Sequence, residues 1–310
     1  MTRYAWSGPS AACLLSTRDT RFPLNTGDSI FAIGFGTFQD PDAQEEGVSK
    51  ALKMGMRLKI DTAREYNVEK QEIFLGTKLW YNDYHPDDVE RALDESLADL
   101  DTPYVDLFMM HYPCTFRRGN ERFPRDAQGK MLLGDTTYVD TWKAMEQLLK
   151  TRKVKNLGVS NFSKGELETL LRECSVMEVH PYPQQKTFDQ WLKSNGIHVV
   201  QFSPLGNMND LYRKTGWSKE EEIGGKYGKS PVQVALAWGV NNGRSVIPKS
   251  IINWQVKENV EADFEMEEED MKKMETLDIK ARFNDPSLDY QWRLYSDLEG
   301  IEGAMQGKTH

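Results

Sequence analysis

The regular alternation of short apolar runs with amphipathic segments is the feature that most limits the folds open to this chain. The runs have strand length and are apolar nearly throughout, which is typical of parallel strands covered by helices. The segments between them repeat their apolar residues at helical spacing, and alternating strands and helices build a parallel sheet. The predicted strands are 31–37, 57–61, 73–78, 104–111, 155–159, 176–180, 197–203 and 244–248. The predicted helices are 42–54, 87–99, 139–151, 163–173, 184–194, 231–241 and 255–261.

The number of predicted strands favours a closed barrel over an open sheet. Eight strands fall within about 220 residues, as in a (β/α)8 barrel, whose sheet closes on itself after eight parallel strands. A chain of 310 residues could also hold two average domains, but no linker separates its segments. We therefore predict an α/β fold, a single-domain (β/α)8 TIM barrel over residues 25–310, preceded by a flexible N-terminal extension over residues 1–24.

Composition and charge exclude several classes of partner. The chain carries 39 Lys and Arg against 48 Asp and Glu, a formal net charge of −9, whereas a surface that follows nucleic-acid phosphates is basic. Its mean hydropathy is −0.64, and it has no apolar run of the roughly 18 residues that cross a bilayer. Three widely spaced cysteines give neither a disulfide framework nor a metal-binding spacing. These features predict a cytoplasmic protein that binds small molecules, without a metal, nucleic-acid or membrane partner.

Four polar residues lie at or just after the C-terminal ends of the second, third and fourth predicted strands. They are Asp61, Tyr66, Lys78 and His111. Taken singly, each has an ordinary structural explanation: a helix cap, a packed ring, an exposed lysine or a core histidine. Taken together they point to a catalytic site, because barrel enzymes place their active sites at this end of the strands.

Eight short motifs occur in the same order and at the same strand positions as in one known family. They are AIGFGTFQ at 32–39, DTAREY at 61–66, TKLW at 77–80, DLFMMHYP at 106–113, GVSNF at 158–162, MEVHPY at 177–182, FSPLG at 202–206 and SVIPKS at 245–250. On these motifs, the chain from about Leu24 to Gly300 resembles the aldo-keto reductase superfamily. The resemblance implies an NADPH-dependent enzyme that reduces aldehydes or ketones, sugars among them, to alcohols.

The resemblance places a catalytic tetrad on Asp61, Tyr66, Lys78 and His111. Carbonyl reduction needs a hydride at carbon and a proton at the developing oxyanion. Tyrosine, with an ordinary pKa of about 10, is a weak acid at neutral pH, but a neighbouring ammonium group stabilises the phenolate and lowers that pKa. The resemblance thus implies that Tyr66 donates the proton and Lys78 lowers its pKa. Asp61 would hold Lys78, and His111 would orient the carbonyl.

The resemblance also implies NADPH as the cofactor, with NADH open as a second one, bound without a Rossmann fold. Ser160 and Asn161 would hold the carboxamide, and Phe202 would stack on the nicotinamide ring. Lys249 would supply a cation for the adenosine 2′-phosphate. The full set of implied cofactor-binding residues is Gly36, Thr37, Phe38, Ser160, Asn161, Phe202, Ser203, Leu205, Lys249, Ser250 and Asn259.

The substrate pocket is predicted to have aromatic walls. Trp80 and Tyr112 adjoin the tetrad, and the segments 112–138 and 281–298 are placed to overhang it. Four arginines of the first segment either meet anionic substrates or form a solvated basic loop. They are Arg117, Arg118, Arg122 and Arg125. The expected partner is a small carbonyl compound, and the resemblance implies a monomer or weak dimer.

The second βα unit departs from the family pattern. Only six residues, 67–72, separate Tyr66 from Ile73, whereas a crossover between parallel strands takes a dozen or more residues and normally contains a helix. A unit shortened in this way would leave apolar side chains of the second and third strands without a covering helix.

Further departures lie later in the chain. Val176 replaces a glutamine of the family, the helical segment between Trp217 and Tyr227 is shortened, and Gln255 stands where an arginine often assists 2′-phosphate binding. These differences keep a second interpretation open: a catalytically impaired or inactive nucleotide-binding or regulatory member of the same fold.

Overall fold

The described strands form two parallel arcs that join edge to edge. A computed structural model describes residues 20–36, 41–54, 56, 58–60, 73–173, 184–205, 210–278, 285–295 and 297. An antiparallel hairpin, β1 (Arg21–Pro23) and β2 (Ser29–Phe31), comes first. The first arc has the order β3 (Gly34–Gly36), β4 (Leu58–Ile60), β5 (Phe74–Leu79), β6 (Val105–Met110) and β7 (Val154–Val159). The second arc pairs β8 (Val200–Phe202) with β9 (Ser245–Ile247).

Hydrogen bonds join the second arc to the first. Ile33 and Val246 form a parallel bridge, and the Gly36 amide donates to the Pro248 carbonyl at 3.1 Å. The strand predicted over 176–180 would lie between β7 and β8, and it falls outside the described residues. The other predicted strands are all present, in the order that a parallel barrel requires.

Seven of the described helices lie where the amphipathic pattern predicts them, and three more, the sixth, ninth and tenth in chain order, were not predicted. They are α1 (Pro41–Lys53), α2 (Pro86–Asp99), α3 (Tyr138–Leu148), α4 (Lys164–Glu173), α5 (Lys186–Ser194), α6 (Asp210–Tyr227), α7 (Pro231–Asn241), α8 (Asn253–Val260), α9 (Glu268–Glu275) and α10 (Ser287–Tyr290). Each predicted helix is observed, with ends that shift by at most a few residues. In the described part of the chain, no helix is long and apolar enough to cross a membrane.

Helix α6 includes the segment between Trp217 and Tyr227, which the sequence analysis describes as shortened. Three glycines weaken its intrinsic helix propensity, so its sequence gives little helical signal. Packing against α7 supports it instead. A Cβ atom on Gly224 would lie 2.3 Å from the Lys229 carbonyl oxygen, so glycine permits the tight turn that joins the two helices.

Two clusters of buried side chains, one inside the barrel and one outside it, stabilise the fold. Inside it, side chains from β5, β6, β8 and β9 form one buried cluster, which consists of Phe74, Leu107, Met109, Val200 and Ile247 together with Ile30 and Phe31 of β2. Outside it, α2 to α5 pack on β5, β6 and β7 through a larger cluster that includes Leu93, Phe108 and Trp142.

The N-terminal hairpin corrects the boundary of the predicted extension. Residues 21–23 were assigned to a flexible segment but form β1, which pairs with β2 in the register Arg21↔Phe31. Phe22 packs against the interior cluster, so burial of this ring favours an ordered hairpin. The first 19 residues lie outside the described part of the chain.

The short connection in the second βα unit joins neighbouring strands. β4 and β5 pair in parallel, with Leu58 opposite Phe74. Phe74 and Leu79 are buried and Leu75 is half-buried, so the described apolar side chains of β5 are not left open to solvent. Residues 61–72, which form the connection, lie outside the described residues.

Candidate active site

Lys78 and His111 lie on neighbouring strands near the C-terminal end of the barrel. Lys78 shares a strand face with Phe74, an interior residue, because side chains alternate along a strand. His111 directly follows β6 and shares a face with the interior residues Leu107 and Met109. Burial lowers the pKa of His111, and the charge of Lys78 lowers it further. Asp61 and Tyr66 lie outside the described residues, so their roles remain predictions; Asp61 directly follows β4, the neighbour of β5.

The His111 side chain is half-buried, and its pKa is lowered so that the neutral form is favoured at neutral pH. Its pKa lies well below the ordinary value because burial disfavours the imidazolium, and the charges of Lys78 and Arg122 add to the effect. Its Nδ1 atom is buried and has no hydrogen-bond partner among the described residues. A buried polar atom of this kind is ready to bind a ligand group.

Aromatic rings surround His111. Tyr81 stacks on it at 5.4 Å between ring centroids with an interplanar angle of 15°, and Trp80 lies at the same distance in a tilted arrangement. Phe123 meets Trp80 edge-on at 5.5 Å. Tyr112 lies 5.1 Å from His111, so the predicted substrate residues Trp80 and Tyr112 both adjoin it. Tyr112 is almost fully buried, and its contact with substrate stays a prediction.

The two segments predicted to overhang the pocket meet each other. Arg125 forms a two-point ion pair with Asp289 at 2.8 and 2.9 Å, and Gln291 donates to the Met131 carbonyl at 2.8 Å. The ring of Tyr290 packs edge-on against Tyr112 at 5.4 Å. The C-terminal segment thus packs against the aromatic cluster around His111.

The four arginines of the 112–138 segment have different partners in the structure. Arg117, Arg118 and Arg125 pair with the carboxylates of Glu121, Asp88 and Asp289 respectively. Arg122 instead places its guanidinium 4.0 Å from the centroid of the Trp80 ring, and the Trp80 indole donates to the Arg122 carbonyl at 3.0 Å. Three of the four therefore contact the protein's own acids, and Arg122 contacts Trp80, a predicted substrate residue.

Asn161 links the predicted cofactor site to His111. Its amide nitrogen donates to the His111 carbonyl at 3.0 Å and to the Ser160 hydroxyl at 2.9 Å. Its amide oxygen accepts the Tyr295 hydroxyl at 2.7 Å. The backbone of Asn161 has a φ of 65°, a left-handed conformation that asparagine adopts more readily than most residues.

The remaining predicted cofactor residues follow three adjoining strands. Gly36 ends β3, Phe202 ends β8, and Lys249 follows β9. Ser203 and Leu205 continue from β8, and Ser250 precedes α8, the helix that carries the buried Asn259. The Ser250 hydroxyl donates to Gln255 at 2.5 Å and accepts the Ile252 amide at 3.0 Å. Thr37 and Phe38 lie outside the described residues.

Comparison with known proteins decides the family. A model of the Aldo/keto reductase family matches residues 30–279, most of the chain. The chain belongs to this family. The resemblance drawn from the motifs and the (β/α)8 barrel are both confirmed.

Solved and curated relatives of this aldo/keto reductase span nearly its whole length. It is 34% identical over 321 residues to an uncharacterized oxidoreductase of Schizosaccharomyces pombe, covering 95% of this chain and 97% of the relative. It is 35% identical over 304 residues to the NAD(P)H-dependent D-xylose reductase of Scheffersomyces stipitis, covering 85% and 95%. The aldose reductase structure from Schistosoma japonicum superposes with a TM-score of 0.81 at 27% identity, covering 89% of this chain and 98% of the other.

The family assignment makes the protein an oxidoreductase that acts on carbonyl groups of small molecules. Sequence reasoning named Lys78, His111 and Trp80, whose roles stay predictions, and did not name Tyr81 and Tyr84, which contact His111 from the turn after β5. The signal available was the dense aromatic run in residues 80–84, directly after a predicted catalytic lysine.

Proposed function

We propose that this aldo/keto reductase reduces aldehydes or ketones, sugars among them, to alcohols with NADPH, and that NADH serves as an alternative cofactor. The observation that carries the proposal is the placement of Lys78 and of a half-buried His111, packed beside Trp80, on neighbouring strands at the C-terminal end of the barrel. Similarity to a D-xylose reductase supports sugars as one substrate class.

The residues at the site fit a nicotinamide nucleotide. The Asn161 amide oxygen accepts one hydrogen bond from Tyr295, and its second lone pair can accept the carboxamide N–H. Lys249 is exposed beyond β9 and supplies the cation that a phosphate needs in a chain of net negative charge. When bound, the nicotinamide would supply the hydride that the carbonyl carbon accepts.

The protein's own residues would supply the proton and orient the carbonyl. A neutral His111 can donate a hydrogen bond to the carbonyl oxygen without giving up a proton, because its charged form is disfavoured by burial. Proton transfer then falls to Tyr66, with Lys78 stabilising its phenolate and Asp61 holding Lys78. The aromatic rings of Trp80 and its neighbours would exclude water from the reacting carbonyl.

The short connection between β4 and β5 favours a second candidate, a nucleotide-binding member with impaired or no catalysis. Both candidates bind NADPH, so turnover separates them. The test mixes the purified chain with NADPH and a nitrobenzaldehyde and follows the loss of NADPH absorbance. Turnover supports the reductase, and a folded chain that binds NADPH without turnover supports the second candidate.

Lys249 is expected to select NADPH through the 2′-phosphate that NADH lacks. Lys249→Met should weaken NADPH binding by about 1–3 kcal/mol, the scale of a charge-assisted hydrogen bond, and should leave NADH binding nearly unchanged. Titration of cofactor fluorescence measures both dissociation constants. Lys257→Met is the matched control, because Lys257 is an exposed lysine on α8 whose ammonium lies 3.8 Å from Glu261. Equal losses for the two cofactors would exclude recognition of the phosphate by Lys249.

A further inference from the structure

We propose that Tyr84 is a positioning residue for His111, and that its buried hydroxyl fixes the main chain from which the imidazole projects. The inference rests on the proposed function, in which His111 orients the carbonyl. Tyr84 lies in the segment between β5 and α2, and it makes no contact with the reacting atoms in this role.

The Tyr84 hydroxyl makes three hydrogen bonds, all to the main chain of two residues. It accepts the amide N–H of His111 at 2.9 Å and that of Tyr112 at 3.1 Å, and it donates to the Tyr112 carbonyl at 2.8 Å. A hydroxyl has one donor and two acceptor positions, so none remains for solvent. The Tyr84 side chain is fully buried.

The main chain of His111 and Tyr112 lies beyond the end of the pairing between β6 and β7. The parallel pairing of β6 with β7 ends at Met110, opposite Val159, and the Ser160 amide donates to the Met110 carbonyl at 2.8 Å. The next two amides, of His111 and Tyr112, bond to Tyr84 instead of to a neighbouring strand. A buried amide without a partner is costly, so the hydroxyl replaces the missing ladder bonds.

Tyr84 is itself held from outside the barrel. Its carbonyl accepts the hydroxyl of Thr141, a fully buried residue on α3, at 2.8 Å. Burial raises the pKa of Tyr84 well above its ordinary value, so the hydroxyl keeps its donor proton. The anchor therefore connects His111 to α3, and a rigid support of this kind is what precise catalytic geometry needs.

His111 is also held at its carbonyl, by the Asn161 amide at 3.0 Å. Tyr84 and Asn161 thus fix the two ends of one residue. Loss of either contact would let the imidazole shift, and a shift of about 1 Å can lower a rate by about 10²-fold.

Tyr84→Phe tests the inference, because it removes the hydroxyl and keeps the ring. Tyr227→Phe is the matched control: its hydroxyl also accepts a backbone amide, that of Glu267 at 2.9 Å, but it lies on α6 away from the site. Both variants are compared with the parent in a single turnover of NADPH and a nitrobenzaldehyde, with the rate expressed per NADPH-binding site. Unfolded molecules then lower the amplitude of the reaction and not its rate. The nitrogen resonances of the His111 ring are recorded in parallel.

We expect Tyr84→Phe to slow the single-turnover rate by about 10- to 100-fold and to shift the His111 resonances. We expect Tyr227→Phe to change neither, even where it lowers the melting temperature. A Tyr84→Phe protein with the parental rate and an unshifted His111 ring would overturn the inference. If the parent shows no turnover at all, the proposed function fails, and the His111 resonances alone decide whether Tyr84 positions the ring.

Discussion

Aldehyde reduction is expected to fall by about 10²–10⁴-fold in Tyr66→Phe, the range that a positioned general acid contributes. The reason is that phenylalanine cannot protonate the oxyanion that forms as hydride reaches the carbonyl carbon. NADPH binding should not change, because the residues proposed to hold the cofactor, such as Asn161 and Lys249, are untouched. Steady-state rates with a nitrobenzaldehyde and fluorescence titration with NADPH measure the two effects.

Tyr104→Phe is the control for the loss of a tyrosine hydroxyl. Tyr104 precedes β6 at the end of the barrel opposite the site, and its ring contacts the ammonium of Lys155 at 4.1 Å. This variant should keep the parental rate. A Tyr66→Phe protein that turns over within tenfold of the parent would remove Tyr66 from the proton-transfer step.

The free energy of unfolding is expected to fall by about 3 kcal/mol through His198 alone as the pH decreases from 6.5 to about 4. Burial and, to a smaller extent, the charge of Lys193 lower the pKa of His198 to about 4, against the opposing effect of Asp189. The unfolded chain, with an ordinary pKa near 6.5, therefore binds a proton that the folded chain rejects. Stability is fully present above pH 6.5 and is lost as the pH falls toward 4.

The physical setting of His198 explains this sensitivity. The ring lies at the N-terminal end of the barrel, where its Nε2 atom is 2.9 Å from the Ser245 hydroxyl and its face meets Phe22 at 5.3 Å. The Ser245 hydroxyl donates to the Phe31 carbonyl at 2.7 Å, so the neutral ring serves as a link between the hairpin and the second arc of the barrel.

His198→Gln measures the contribution of this one group. Glutamine does not ionise, while protonation of carboxylates acts on both proteins and cancels in their difference. Urea unfolding of the parent and variant at several pH values between 7 and 4 gives that difference. The parent should lose more stability than the variant on acidification; equal losses would show that His198 does not titrate with a lowered pKa.

The barrel was predictable because its parallel strands are buried on both faces and therefore carry continuous apolar runs. The pattern failed where local sequence and structure disagree. Hairpin strand β1 has three residues and gives no periodicity, and its order comes from Phe22 packing under the barrel. Helix α9 is polar almost all round, with a buried Met274 as its principal apolar contact.

In the candidate site, too, some features follow from local sequence and others depend on tertiary contacts. The positions of Lys78, His111 and Trp80 in the fold were predictable because these residues lie at or just after the ends of strands that are themselves predictable. The Tyr84 anchor was not, since it joins residues 27 positions apart through a contact that only tertiary structure creates. The link between Asn161 and Tyr295, 134 residues apart, was hidden for the same reason. The choice of partners by the four arginines likewise depends on which carboxylates the folded chain brings near.

Transfer of deuterium from cofactor to product tests the proposed reaction most directly. NADPH that carries deuterium at both C4 positions is incubated with the chain and a nitrobenzaldehyde, and the alcohol is analysed by mass spectrometry. We predict one deuterium on the alcohol carbon for each NADPH consumed, because the carbonyl carbon accepts the hydride directly and Tyr66 supplies only the oxygen-bound proton. Alcohol without deuterium, or a folded chain that binds NADPH and forms no alcohol, would contradict the proposal.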